Sequence, residues 1–276
     1  MRYHPRGFDA LLLVLLLLPA CNACAPRAEK LDAPIAHQVQ QGLDGGQGTF
    51  DHSALDALLQ THVRFADGRV DYAGLKQDEP RLDAYLVTVA DAHLDTLSRD
   101  ELMALLINAY NAYTLKLILE HYPGLKSIRD TDKPWDTARY KVGGHTVSLN
   151  DLEHGLLRPV FKDPRVHFAV NCASIGCPPL RDHAWSGVDL EGQLAEAARG
   201  FARNPRYVAK VDGGVRISKL LDWYGGDFVN PDYHGHAASV PAWLATSAEG
   251  DLAEALAADP TVSYFDYDWA LNDVSR

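Results

Sequence analysis

The sequence predicts one α+β domain: a long central buried helix packed on a small, mostly antiparallel sheet. Three observations carry that reading. Residues 98–122 hold an apolar run without a polar face, residues 140–147 and 207–217 pair short β-rich segments around glycine turns, and no regular strand–helix alternation appears.

The elements follow in chain order. Leu55, Leu58, Leu59, His62 and Val63 share one helical face from Ser53 onward, and Asp67-Gly68 turns the chain. A second helix is expected near 79–90 with Leu82, Tyr85, Leu86 and Val89 inward. Ser98 and Glu101 have capping-box spacing, and Pro123-Gly124 ends the long helix. Two hairpins turn at Gly143-Gly144 and at Asp212-Gly213-Gly214, with a helix between them over 148–159. Val166–Val170 alternates as a strand would, and Pro178 suits the first position of a helix, which makes Cys177 its N-cap. Helices are expected near 190–203, 218–224 and 240–257, and a last strand over 262–267.

The N-terminus reads as a targeting segment. Arg2 and Arg6 precede an apolar run from Ala10 to Ala20, about eleven residues long, where a membrane span needs roughly 20. Its end, Leu18-Pro19-Ala20-Cys21, resembles a bacterial lipobox, which implies cleavage of residues 1–20 and lipidation of Cys21. Asn22 then favours the outer membrane, with the domain facing the periplasm. Cleavage after Ala23 instead gives a soluble periplasmic protein. Residues 21–52, rich in Ala, Pro, Gln and Gly, are expected to be a flexible linker, and the globular domain to cover 53–272. The membrane is thus expected as a partner through the lipid alone.

Composition narrows the function classes. The chain carries 26 Lys and Arg against 37 Asp and Glu, a net charge of −11. Removal of residues 1–20 takes away Arg2, Arg6 and Asp9 and leaves −12. Without a basic stripe, nucleic acid is not an expected partner. Phosphate-loop, dinucleotide and serine-elbow motifs are missing, so no cofactor and no serine hydrolase is expected. Cys-x4-Cys is weak zinc spacing, and no metal is expected.

Candidate site residues are those whose type conflicts with their position. Asn108 and Asn111 lie three apart on the apolar helix, where an amide must find partners. They either clamp a neighbouring backbone or hold a substrate. Glu153 interrupts the stripe Leu149, Leu152, Leu156 and Leu157, with His154 beside it and Arg158 five residues on. Glu153 is either paired with Arg158 to fix packing or poised as an acid, base or histidine orienter. His167, Ala169 and Asn171 lie on the second face of the expected strand, like a cleft wall, and Cys172 follows. Cys172 and Cys177 fit a disulfide first in an oxidising compartment, a nucleophilic thiol served by His167 or His154 second, and a thiol–disulfide exchanger third. Cys24 falls in the linker. The aromatic and acidic clusters at 218–228 and 267–272 read as core and loop staples.

Several of these stretches together resemble a known family. Leu-Ile-Asn-Ala-Tyr-Asn-Ala, Ser-Leu-Asn-Asp-Leu-Glu-His-Gly-Leu-Leu-Arg, Asp-Pro-Arg-Val-His-Phe-Ala-Val-Asn-Cys-Ala-Ser-Ile-Gly-Cys-Pro-Pro-Leu, Ile-Ser-Lys-Leu-Leu-Asp-Trp-Tyr-Gly-Gly-Asp-Phe and Tyr-Asp-Trp-Ala-Leu-Asn occur in the order seen in domain of unknown function 547. The resemblance covers residues 53–272 and places Asn108, Asn111, Glu153, His154, Arg158, His167, Cys172 and Cys177 on hallmark positions. It implies no activity. Two function classes follow from the residues. One is a cysteine-dependent hydrolase or acyltransferase acting on an envelope amide, with cell wall or envelope protein as substrate. In it Cys172 or Cys177 attacks, His167 or His154 takes the proton, Glu153 orients the histidine, and Asn108, Asn111 and Arg158 bind substrate. The other is a non-catalytic binding or scaffold lipoprotein with a structural Cys172–Cys177 bridge.

Overall fold

The computed structural model describes residues 33–64 and 66–275. The expected signal peptide, Cys21, Cys24 and the first part of the expected linker lie outside the described residues.

The chain runs α1 (Pro34–Gly45), α2 (Ser53–His62), β1 (Val63–Arg64), β2 (Arg69–Val70), α3 (Tyr72–Gln77), α4 (Glu79–Ala90) and α5 (Arg99–His121). After these come β3 (Tyr140–Val142), β4 (His145–Val147), a π-helix (Asp151–Phe161) and a 3-10 turn (Pro164–Phe168). The last third holds α6 (Leu190–Arg203), β5 (Val208–Val211), β6 (Gly214–Ile217), α7 (Leu220–Trp223), α8 (Gly225–Val229), α9 (Val240–Ala245), α10 (Gly250–Ala257) and β7 (Thr261–Tyr264). This is the expected α+β mixture with a central buried helix.

Helix α5 is buried over nearly its whole length because it is apolar on every side. Ser98 caps it by accepting from the Glu101 N–H. The Glu101 carboxylate does not return to the cap. It accepts from His52 instead, 3.1 Å away. Helices α1, α3, α4 and α6 and the π-helix pack around α5. Its contact with the first hairpin is made by Tyr113, whose hydroxyl donates to the Lys141 carbonyl. The hairpins β3–β4 and β5–β6 are antiparallel as expected, and β7 adds to β6 in parallel. The three-stranded sheet belongs to a second core with Phe168, Phe201, Tyr207, Phe228, Trp243 and Leu256.

Four expectations give way to different structure. Residues 34–45, read as spacer, form α1, which buries Ile35, Ala36, Val39 and Gly42. Its apolar positions sit at i, i+1, i+4 and i+7, a helical stripe short enough to be hidden by the surrounding glycines. Val166–Val170 is a 3-10 turn, not a strand. Pro164 opens it, the Asp163 side chain caps it through the Arg165 N–H, and both alternating faces are buried. No helix follows Pro178, so Cys177 is not a helix N-cap. The helix over 148–159 is present but wide. A proline inside an α-helix loses a hydrogen bond and drives its ring into the carbonyl four residues back. The π-helix accommodates Pro159, and Lys162 ends it in the left-handed region at φ 51°.

Candidate functional site

A cleft of about 320 Å³ opens between the two cores, lined by Tyr110 and Val170 of the first and Leu220 of the second. Glu153, His154, His167, Cys172 and Cys177 all line it. Local folding delivers each of them.

The π-helix supplies Glu153 and His154. Glu153 is 5% exposed, with the phenols of Tyr110 and Tyr224 close enough to feel its charge. Burial pushes both phenols above their ordinary range, with the nearby carboxylate adding to the shift. The two phenols therefore stay neutral beside Glu153. The expected Glu153–Arg158 pair does not form. Arg158 reaches Asp227 of α8 with two bonds, Nε to Oδ2 at 2.7 Å and Nη2 to Oδ1 at 3.0 Å. Arg158 Nη1 also donates to His154 Nδ1 at 2.9 Å. That bond makes Nδ1 an acceptor and puts the ring proton on Nε2. Burial lowers the pKa of His154, and the Arg158 charge lowers it further against the pull of Glu153.

The 3-10 turn supplies His167, which is 1% exposed. Its Nε2 lies 2.8 Å from Asp227 Oδ2, so Nε2–H donates to the carboxylate and Nδ1 faces Glu153 at 4.0 Å. Tyr224 stacks on the ring at 4.2 Å. Burial opposes the Asp227 charge, but the bonds from His167 and Arg158 outweigh it and hold the carboxyl down at about 2. Asp227, not Glu153, is thus the group that orients His167.

Cys172 and Cys177 form a disulfide. The loop that carries them lies along the C-terminal segment. Ile175 N–H donates to the Ala270 carbonyl, Gly176 N–H to Asp268, and Asn272 N–H to Ala173. Gly176 is required by that close approach, since a Cβ there would meet the Asp268 backbone at 3.0 Å. The same segment brings Tyr267 and Trp269 to the cleft.

Asn108 and Asn111 do not line the cleft. Asn108 pairs both ways with the Trp185 backbone, at 2.8 and 3.0 Å. Asn111 donates to the Ala169 carbonyl at 3.0 Å and accepts from the Asn171 N–H at 2.8 Å. They clamp the loops on either side of the site, and Arg158 lies behind it as the partner of Asp227.

What the sequence reading missed is the aromatic wall. Trp223, Tyr267 and Trp269 pack on one another with ring centroids 4.5–5.9 Å apart, and Trp135 meets Trp269 at 5.9 Å. All four are only partly buried and line the cleft. The signal was present in Asp222-Trp-Tyr-Gly-Gly-Asp227 and Tyr267-Asp-Trp269, which alternate aromatics with acids at the chain's end. Their read as staples was half right, since the rings do pack together. Among the described residues, no group of three or more His, Cys, Asp or Glu is placed to hold a metal ion.

Residues 94–202 match the model of a family described as "Protein of unknown function, DUF547". The match runs from the turn before α5 to the end of α6 and so includes Glu153, His167 and both cysteines. It stops short of Asp227, Tyr267 and the tryptophans at 223 and 269. The chain matches no curated protein and no solved structure.

Proposed function

We propose that this protein is an exported envelope lipoprotein whose cleft binds a small polar molecule with a flat apolar face. The targeting half of the proposal is supported by Leu18-Pro19-Ala20-Cys21 after a short apolar run. The binding half is carried by one observation: a tryptophan-rich wall left part-exposed around a cleft whose floor holds a carboxylate and two imidazoles. Large rings exposed to water cost stability unless something uses them, and a concave apolar site with a few convergent polar groups is the usual form of a small-molecule site. The rings offer stacking area, and Glu153, Asp136, Asn150 and His154 offer bonds at its edge.

The disulfide weighs against the cysteine hydrolase, because a bridged sulfur cannot act as the attacking thiolate. Tryptophan fluorescence tests the binding proposal, with soluble cell-wall muropeptides as probe. A saturable change that Trp269→Ala abolishes, with thermal stability kept, is expected. A flat titration with muropeptides, with free peptides and with free amino sugars alike removes the binding reading.

A further inference from the structure

We propose that the Cys172–Cys177 bond is an exchangeable disulfide, opened and closed by a dithiol that enters the aromatic cleft. Cys172 takes the incoming sulfur and Cys177 leaves as the thiolate. The inference stands on the surroundings of the two sulfurs and does not need the ligand proposed above.

The first observation is position. A bridge that only staples a loop has no reason to face a cavity, yet both cysteines line the cleft. Cys172 is half-buried, and Cys177 is 6% exposed. Cys172 is the more open residue, and we take its sulfur as the one an incoming thiolate reaches.

The second is a set of hydrogen-bond donors aimed at sulfur. The Cys172 N–H donates to Cys177 Sγ at 3.0 Å, and the Tyr267 hydroxyl lies 3.2 Å from both sulfurs, so the backbone donor is what singles out Cys177. Ser174 Oγ lies 3.1 Å from Cys172 Sγ and 3.0 Å from the Tyr267 hydroxyl, which can thus receive its proton while giving its own to Cys177. A disulfide sulfur is a weak acceptor, whereas a thiolate is a strong one. Donors placed there gain most when the bond breaks and charge develops, the arrangement that speeds departure of a leaving thiolate. Burial keeps the Tyr267 phenol protonated far above neutral pH, so the donor is always present.

The third is that the loop does not depend on its bridge. Asn171 Oδ1 accepts from the Ala173 N–H, Asn171 Nδ2 donates to the Pro178 carbonyl, and Tyr207 donates to the Cys177 carbonyl. With the bonds to Asp268 and Ala270, these hold the two cysteines together whether or not sulfur joins them. Reduction leaves the pair in place for reoxidation.

The chemistry balances with a dithiol as co-reactant. Its thiolate attacks Cys172 Sγ, a new S–S bond forms, and the electron pair of the Cys172–Cys177 bond departs on Cys177. The second thiol of the dithiol then attacks its own mixed-disulfide sulfur and releases Cys172. The dithiol becomes a disulfide, the cysteine pair is reduced by two electrons, and the protons lost by the dithiol end on the two cysteines. The reverse sequence oxidises the pair.

The test uses the intact oxidised protein in graded mixtures of reduced and oxidised dithiothreitol, quenched in acid, alkylated and weighed. The expected result is full interconversion of the two states under native conditions, with an unchanged circular dichroism spectrum. Tyr267→Phe slows reduction about tenfold, the equivalent of one hydrogen bond to a charged leaving group. With oxidised glutathione, Cys177→Ser forms a stable adduct on Cys172, while Cys172→Ser leaves Cys177 unmodified. A bridge that resists excess dithiothreitol until the protein is denatured overturns the proposal. So does reduction that unfolds the domain, or equal adduct formation by the two serine variants.

Discussion

Asp227→Asn is the perturbation that bears hardest on the site. The Asp227 carboxylate accepts two bonds from Arg158 and one from His167. The substitution keeps the shape but removes the charge and turns one acceptor oxygen into a donor that faces Arg158 or His167. Arg158 is 4% exposed and then holds a charge without its bidentate counterion. Breaking a buried pair in this way costs about 3–5 kcal/mol. For a domain of this size each kcal/mol moves Tm by roughly 2–4 °C, so a fall on the order of 10 °C is expected at neutral pH. Thermal and urea melts followed by circular dichroism measure it. The pair itself contributes less than its breakage suggests. The double change Arg158→Met with Asp227→Leu should recover most of the loss, because a well-packed apolar pair can equal a buried ion pair. A single variant within about 1 kcal/mol of wild type would refute the reasoning, for Asp227 would then not be the counterion the geometry makes it.

Two further outcomes follow from the same contacts. Asp227 is held at about 2 in the folded protein against 3.8 unperturbed, so its contribution is complete above the unfolded value and is lost as pH falls from about 4 towards 2. That loss amounts to about 2 kcal/mol, and Asp227→Asn should lack it, which makes the stability gap between the two proteins narrow in acid. Asn108→Ala strands the backbone N–H and C=O of buried Trp185 and should cost roughly 2–4 kcal/mol in urea melts, with the muropeptide titration midpoint unmoved. A shifted midpoint with unchanged stability would return Asn108 to substrate binding.

The fold was legible where periodicity or turn chemistry acted alone. Ser98 and Pro123-Gly124 bracket α5, and both hairpins announce themselves by glycines, Gly143, Gly144 and Gly213, whose positive φ the turns require. Legibility failed where a side chain from far along the chain decided the local conformation. Val166-His167-Phe168-Ala169-Val170 alternates like a strand, but Arg165 is drawn to Asp163 and Glu191, and His167 is drawn to Asp227, which closes the segment into a tight turn. Glu153 stood out correctly as misplaced, yet its neighbours could not be read from spacing. Five residues separate it from Arg158, and the guanidinium had a better partner 69 residues away.

The same contrast explains how the site is built. Glu153, His154, His167 and the two cysteines face the cleft from irregular backbone: a π-helix, a 3-10 turn and a bridged loop. Regular helix supplies Tyr110 of α5 and the clamps. Asn108 and Asn111 project from α5, the most deeply packed element, and each holds one flank of the segment 169–185 by its main chain. The rigid helix grips the loops through its two amides and reaches the cleft only with Tyr110, so the side chains the loops display remain free to be set by one another. Tyr224 touches both halves of that arrangement, near the Glu153 charge and stacked on His167. Arg158 and Asp227 then fix His167 from behind. A site assembled this way tolerates change at its mouth, where the tryptophans stand, far better than at Asp227. Under the proposed binding function, ligand preference would change through Trp135, Trp223 and Trp269 while the buried centre stays as it is.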